Sequence, residues 1–301
     1  MRCCWIFLFF GIASMGQEAV SLFGKPLYAS RPAGDAAVLL DQNLAKAKVE
    51  YERNPRDLEK LVWYGRRLAY LGRYREAIDV YTRGIALHPA SAQLYRHRGH
   101  RYITTRQFDK AVADLTLASK VIAGQKDEIE QDGRPNRLNK PLSTLQFNIW
   151  YHLGLAHYLR GEFPKALAAY LECMKVSRNN DDSLVATSDW LYMTYRRMGK
   201  TAEAAKVLEP IHEKMEIIEN DSYFKRLLFY KGKLKAEAVL DEKNATDLQI
   251  ATQGYGVGNW YLYNGQRDKA VALFDKLVAG NEWAAFGAIA AEADLRRLRG
   301  R

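Results

Sequence analysis

The sequence has 301 residues, 48% of them hydrophobic and 27% charged. A compact chain of this length buries roughly three quarters of its surface without needing disulfides or metals, and the composition excludes general disorder. Lysine and arginine exceed aspartate and glutamate by 45 to 35, a net charge of +10. Because no basic run of five or more occurs and acidic residues are interspersed, nucleic acid is not an expected partner, whereas an anionic peptide, polymer or membrane surface is.

Arg2 precedes an apolar stretch from Cys3 to Ala13 and then Ser14-Met15-Gly16. This order predicts a secretory signal peptide over 1–16, cut after Gly16. The apolar stretch is about half the roughly 20 residues a membrane-spanning helix needs, which favours cleavage over retention as an anchor. A misassigned start codon or a plain apolar tail is the alternative. An exported chain, periplasmic or secreted and without a transmembrane span after cleavage, keeps only Cys173, which is expected to be a buried core thiol.

Residues 17–34 contain Gly24, Pro26, Pro32 and Gly34 and read as a flexible tether. A half-repeat helix follows from about Ala36 to Arg53, and a pattern then returns after 34 residues: Gly65 recurs as Gly99, Ala77 as Ala111, and Pro55 as Pro89. The first full repeat carries Leu61, Tyr64, Gly65, Leu68, Ala77, Tyr81, Gly84 and Pro89. The second carries Tyr95, Arg98, Gly99, Tyr102, Ala111, Leu115 and Ala118. An insertion at about 125–143 separates these from a third repeat with Trp150, Leu153, Gly154, His157, Ala166, Tyr170 and Cys173. A fourth keeps Leu191, Tyr195, Ala204 and Leu208, with Tyr192 where a small residue belongs. Tyr223 to Leu240 is a degenerate helical stretch. A last repeat holds Gly258, Tyr261, Ala270, Phe274 and Leu277, and an amphipathic helix from Asn281 to Arg299 closes the array.

These residues resemble the tetratricopeptide repeat, which implies an all-α, right-handed solenoid of helical hairpins with flanking capping helices. The half-repeat and four repeats occupy 35–220; the degenerate helix, final repeat and capping helix occupy 221–301. Packing explains the residue types. A glycine on one helix admits a bulky side chain from its partner, so Gly65, Gly99 and Gly154 are expected holes, and Tyr81, Tyr170 and Phe274 expected knobs. Gly72, Gly161, Gly199 and Gly265 fall between paired helices, where glycine takes the left-handed conformation that ends a helix. The insertion and the following Asn148–Gly154 stretch resemble exported bacterial tetratricopeptide-repeat proteins without an assigned activity, over mainly the middle third of the chain.

In this repeat family the first helix of each pair lines a concave groove. The resemblance therefore implies a ligand-binding face carrying Arg66, Tyr70, Arg96, His100, Tyr151, Leu155, Tyr158, Asp189, Met193 and Arg196. Arginine forks and broad tyrosine rings suit a peptide. The lysine–asparagine clamp that some relatives use for a chaperone tail is not matched, because Val62 and Arg66 stand at its first-repeat places. Opposite charge suggests an internal competitor, with Asp127, Glu128, Glu130 and Asp132 folding back onto Arg96, His100 and Arg101.

The insertion's acidic residues do not have calcium-loop order. His97 and His100 are flanked by arginines, and His152 and His157 point to different faces, so no metal and no cofactor is expected. No nucleophile elbow, zinc-protease, phosphate-loop or dinucleotide motif occurs, so no catalytic residue is assigned. The expected role is a non-catalytic scaffold or adaptor for a protein or peptide, acidic ligands among them, in the cell envelope. The alternative is an accessory subunit of an envelope enzyme or polysaccharide-export system that binds an anionic polymer. End-to-end self-association is a third reading.

Overall fold

Paired helices need a hole on one for each knob on the other. A computed structural model describes residues 16–29, 34–240 and 245–300, and in it four glycines meet the side chain sixteen residues downstream. A Cβ added at Gly65 would lie 2.3 Å from the Tyr81 ring, at Gly99 2.8 Å from Leu115, at Gly154 2.6 Å from Tyr170, and at Gly258 2.6 Å from Phe274. These contacts join α2 (Leu58–Tyr70) to α3 (Tyr74–Leu87), α4 (Ala92–Thr104) to α5 (Phe108–Val121), α6 (Leu145–Leu159) to α7 (Phe163–Ser177), and α12 (Asp247–Tyr263) to α13 (Arg267–Ala279). α1 (Gly34–Arg53) packs on α2, and α8 (Asp181–Arg197) pairs with a short α9 (Thr201–Leu208). The degenerate stretch forms α10 (Asp221–Tyr230) and α11 (Ala236–Val239), and the chain closes on α14 (Phe286–Leu298). This is a tetratricopeptide-type solenoid. The expected signal segment lies outside the described residues, apart from Gly16. Among the described residues no helix is long and apolar enough to cross a membrane.

The two helices of a pair begin differently. The first helices α2, α4, α6, α8 and α12 start on Asp57, Ser91, Thr144, Asn180 and Thr246, each accepting a backbone N–H of its own first turn. The second helices lack a side-chain cap and are delivered by the tight turn before them, where Gly72, Gly161, Gly199 and Gly265 have φ between 71° and 78°. In the second repeat that place is held by Arg106, at φ 63°.

Two expectations need correcting. Residues 17–34 are not a loose tether over their described part: Gln17–Val20 (β1) and Pro26–Tyr28 (β2) pair antiparallel. This hairpin is docked, with Trp283 Nε1 donating to Tyr28 O at 2.7 Å and Arg75 N donating to Glu18 at 2.9 Å. The last helix does not merely cap an end. α14 is buried on nearly all sides, from Gly287 through Leu295, because its alanines let neighbouring backbones come close. It packs on α13 and α12 and also meets α6, while Phe286 reaches His100 of α4 and Asp294 reaches Arg197 of α8, so this last helix folds back onto the earlier repeats. The departure at Tyr192 has a local consequence. Its ring stacks 4.5 Å from Tyr230, which ties α8 to α10, and its partner helix α9 stops after eight residues.

Candidate functional site

Arg66 and Tyr70 on α2 and Arg96 and His100 on α4 converge on one cavity of about 220 Å³, roofed by the insertion through Glu130, Asp132, Gly133 and Arg134. They converge because consecutive first helices lie side by side and these positions share one face of each. The fold-back suggested by opposite charge is present. The Glu130 carboxylate lies 3.2 Å from Arg96 Nε, accepts from Asn148 Nδ2 at 3.2 Å, and lies 3.5 Å from His97 Nε2. Arg66 donates to Gln131 O at 2.7 Å, and Arg67 donates to Gly133 O at 2.8 Å. Gly133 lets the insertion lie against Tyr70, since a Cβ there would sit 2.2 Å from the Tyr70 hydroxyl and force the insertion or the ring aside. A two-residue bridge, Ile129 to Thr144, returns the insertion to α6.

The charge around this cavity is unbalanced. Arg66, Arg96, Arg101 and Arg134 face only Glu130 and Asp132. The Arg101 guanidinium sits 5.3 Å over the Tyr74 ring, with no carboxylate paired to it among the described residues. Arg96 Nε and Asp132 Oδ2 are buried without a hydrogen bond. Burial raises the Asp132 carboxyl, with Glu219 adding to it and Arg66 opposing. His97, His100 and His152 are all pushed well below the usual histidine range, by burial first and the nearby arginines second. They are neutral, so His97 meets Glu130 as a dipole rather than as a cation. Among the described residues no three His, Cys, Asp or Glu side chains are placed to hold a metal ion.

The other expected groove residues meet later parts of the same chain. The His100 ring lies 4.3 Å from that of His152 and 5.2 Å from that of Phe286 of α14, tilted against both. Tyr151 donates to Tyr223 Oη at 2.9 Å and accepts from Trp190 at 2.7 Å. Tyr158 is fully buried, accepts from Asn259 at 2.9 Å, and lies 2.9 Å from Tyr255 Oη. Asp189 is fully buried and ion-paired with Arg226. Its carboxyl is pushed up to about 6, burial outweighing Arg226. Arg196 donates to Asn264 at 3.0 Å with its guanidinium 4.3 Å over Tyr263. Leu155 and Met193 are also fully buried. Tyr151, Tyr158 and Asp189 are therefore interior residues, not an open ligand face: their helices do face the trough, but α10, α12 and α14 fill it.

Sequence reasoning did not pick out Arg67, Asn148 or Gly133 as parts of the site, and it weighed His97 only as a metal ligand. The available signal was the acidic insertion opposite the arginines. Cys173 is fully buried, with its thiol pushed up to about 12 by burial. A larger hollow of about 790 Å³ lies elsewhere, between α7 and the short α9. Apolar side chains such as Leu171, Met174 and Leu184 of α8 line it together with Arg178, Glu203, Lys206 and Glu209. Its charges are of both signs, whereas the cavity between α2 and α4 gathers guanidinium groups on one side, which makes that cavity the candidate for an acidic ligand.

Residues 65–121, the span from the first glycine hole to the end of α5, match the family model described as tetratricopeptide repeat. The glycine–knob pairs of the flanking hairpins repeat the same packing outside the matched span. Three solved structures are similar to it. A tetratricopeptide repeat protein from Parabacteroides merdae has a TM-score of 0.46 at 14% identity, over 84% of this chain and 92% of that one. MamA gives 0.44 at 19%, over 68% and 98%. YrrB, described as a TPR protein with an unusual peptide-binding site, gives 0.42 at 16%, over 79% and 95%. No curated protein matches the chain.

Proposed function

We propose that the chain is a non-catalytic scaffold of the cell envelope that holds an acidic segment of a partner protein at the cavity between α2 and α4. One observation carries this reading: four guanidinium groups converge there against two carboxylates, and the segment that already lies on them is acidic and extended. Arginine forks suit carboxylates and backbone carbonyls alike. Export to the periplasm or beyond is supported by Arg2 and the apolar Cys3–Ala13 stretch, and cell fractionation with N-terminal sequencing tests it.

The experiment for the site is a titration of the full chain with acidic peptides and with an anionic polysaccharide, at low and high salt. Selective peptide binding that Arg96→Ala and Arg101→Ala weaken is the expected result. Binding that ignores peptide sequence, favours the polymer and collapses with salt would replace this reading with that of an accessory subunit for an anionic polymer.

A further inference from the structure

The geometry points to the insertion as a resident stand-in for the partner, so that the ligand of this cavity is an extended peptide with a glutamate or aspartate three residues before a glycine. This rests on the reading above, that the face between α2 and α4 binds an acidic protein segment.

Each element of the pattern comes from a contact. Glu130 supplies the carboxylate, shared by Arg96, Asn148 and His97. The next residue offers only its backbone carbonyl, to Arg66. The third after Glu130 offers its carbonyl to Arg67 and must be glycine, because the Tyr70 ring occupies the space of a Cβ. Arg96, Arg66 and Arg67 thus read a carboxylate and two carbonyls, and Tyr70 the absence of a side chain. None of these features is peculiar to the insertion, and any chain with that spacing in extended form presents them.

The insertion is also held in a way that permits exchange. Its large apolar side chains do not fix it, since Ile129 is 63% and Leu138 54% exposed. Apart from Leu142, buried near α8, its anchors are hydrogen bonds and ion pairs, which water and a competing peptide can replace one by one. As a tethered competitor it acts at an effective concentration of about millimolar. An incoming peptide must outcompete that, and loosening the insertion should raise the peptide's apparent affinity.

The test uses the full chain and a synthetic peptide with the sequence of residues 127–134. Glu130→Ala loosens the insertion while leaving every arginine in place, and is expected to bind the peptide about tenfold more tightly than the unmodified chain, the factor one lost charge-assisted contact supplies. Gly133→Ala, which displaces the insertion from Tyr70 but keeps Glu130, should act in the same direction and guards against misfolding of the first variant. Changing the peptide's glutamate at the Glu130 place to glutamine, or its glycine to alanine, should cost about tenfold on either variant. Equal affinity for the unmodified chain and both variants, or indifference to the glycine, overturns the inference. If other acidic peptides still bind, the broader reading survives that outcome. If no acidic peptide binds any form, both fall.

Discussion

Arg106 and Glu292 are 186 residues apart in sequence and joined at 2.8 Å, with side chains only 4% and 2% exposed. Arg106 occupies the left-handed turn position that glycine holds in the neighbouring repeats. The backbone strain is maintained because the side chain also donates to Trp283 O at 2.7 Å and so ties the second repeat to α14. Arg106→Ala keeps the strained φ and leaves Glu292 buried without its partner, which should cost about 3–5 kcal/mol. Arg106→Gly loses the same pair but relieves the strain, so it should be less damaging than alanine by about 1 kcal/mol. Urea unfolding of both variants measures the difference, and glycine proving the worse of the two would contradict this account of the turn.

Gly154 and Gly199 should respond differently to alanine. At Gly154 the new Cβ would strike the Tyr170 ring at 2.6 Å, an overpacking cost of about 1–3 kcal/mol. At Gly199, φ is 71° and nothing lies within 4 Å, so only the left-handed strain remains, about 1 kcal/mol. Tyr170→Leu should rescue part of the Gly154→Ala loss. Tyr170→Phe should not, since the ring edge makes the contact, although alone it should be tolerated because the Tyr170 hydroxyl is buried without a partner. Thermal melts of the four variants and the two doubles decide this.

How much of this was legible in the sequence depends on distance along the chain. Hole and knob pairs such as Gly154 and Tyr170 are sixteen residues apart and recur, so a repeat pattern exposes them. The contact of Glu130 with Arg96 was readable as opposite charge in adjoining segments. Tyr158 and Asp189 were misread because helix periodicity tells which side of a helix a residue faces, not whether a later segment covers that side. Their partners Tyr255 and Arg226 lie on α12 and α10, outside any local pattern. The β1–β2 hairpin was invisible for a related reason: two strands of four and three residues gain their order from docking on Trp283, Arg75 and Glu292.

Asp189 and Arg226 form a fully buried ion pair in which Arg226 also donates to Thr252 O at 2.7 Å. Asp189→Asn should cost about 3–5 kcal/mol, because it strands a guanidinium in the interior. Replacing both, by Asp189→Leu with Arg226→Met, should recover most of that loss, since neither charge then has to be desolvated. Equilibrium unfolding provides the comparison. A double variant as unstable as the single one would mean that the pair fixes the packing of α8 on α10 in some way that apolar side chains cannot reproduce.

The three neutral histidines are a contribution to stability that acid removes. His97, His100 and His152 face Arg66, Arg96 and Arg101, with Glu130 the nearest carboxylate and Phe286 closing the cluster from α14. Each has a folded pKa depressed well below 6.5, so their contribution is present above that value and is lost as pH falls, because the unfolded chain then binds protons that the folded chain does not. Asp189 works the other way. Its folded pKa of about 6 exceeds the unfolded 3.8, so its contribution is full below 3.8 and is lost as pH rises through about 6. As pH falls below 6.5 the histidine contribution is lost while that of Asp189 is gained, together with those of Asp114 and Asp132, whose carboxyls burial also raises. His100→Phe keeps the ring contacts with His152 and Phe286 and should make the acid loss shallower, by at most one proton, about 1.4 kcal/mol per pH unit. Urea midpoints of both chains between about pH 7 and 4 provide the measurement, and identical profiles would show that the His100 ring reaches solvent or shares the charge of Glu130.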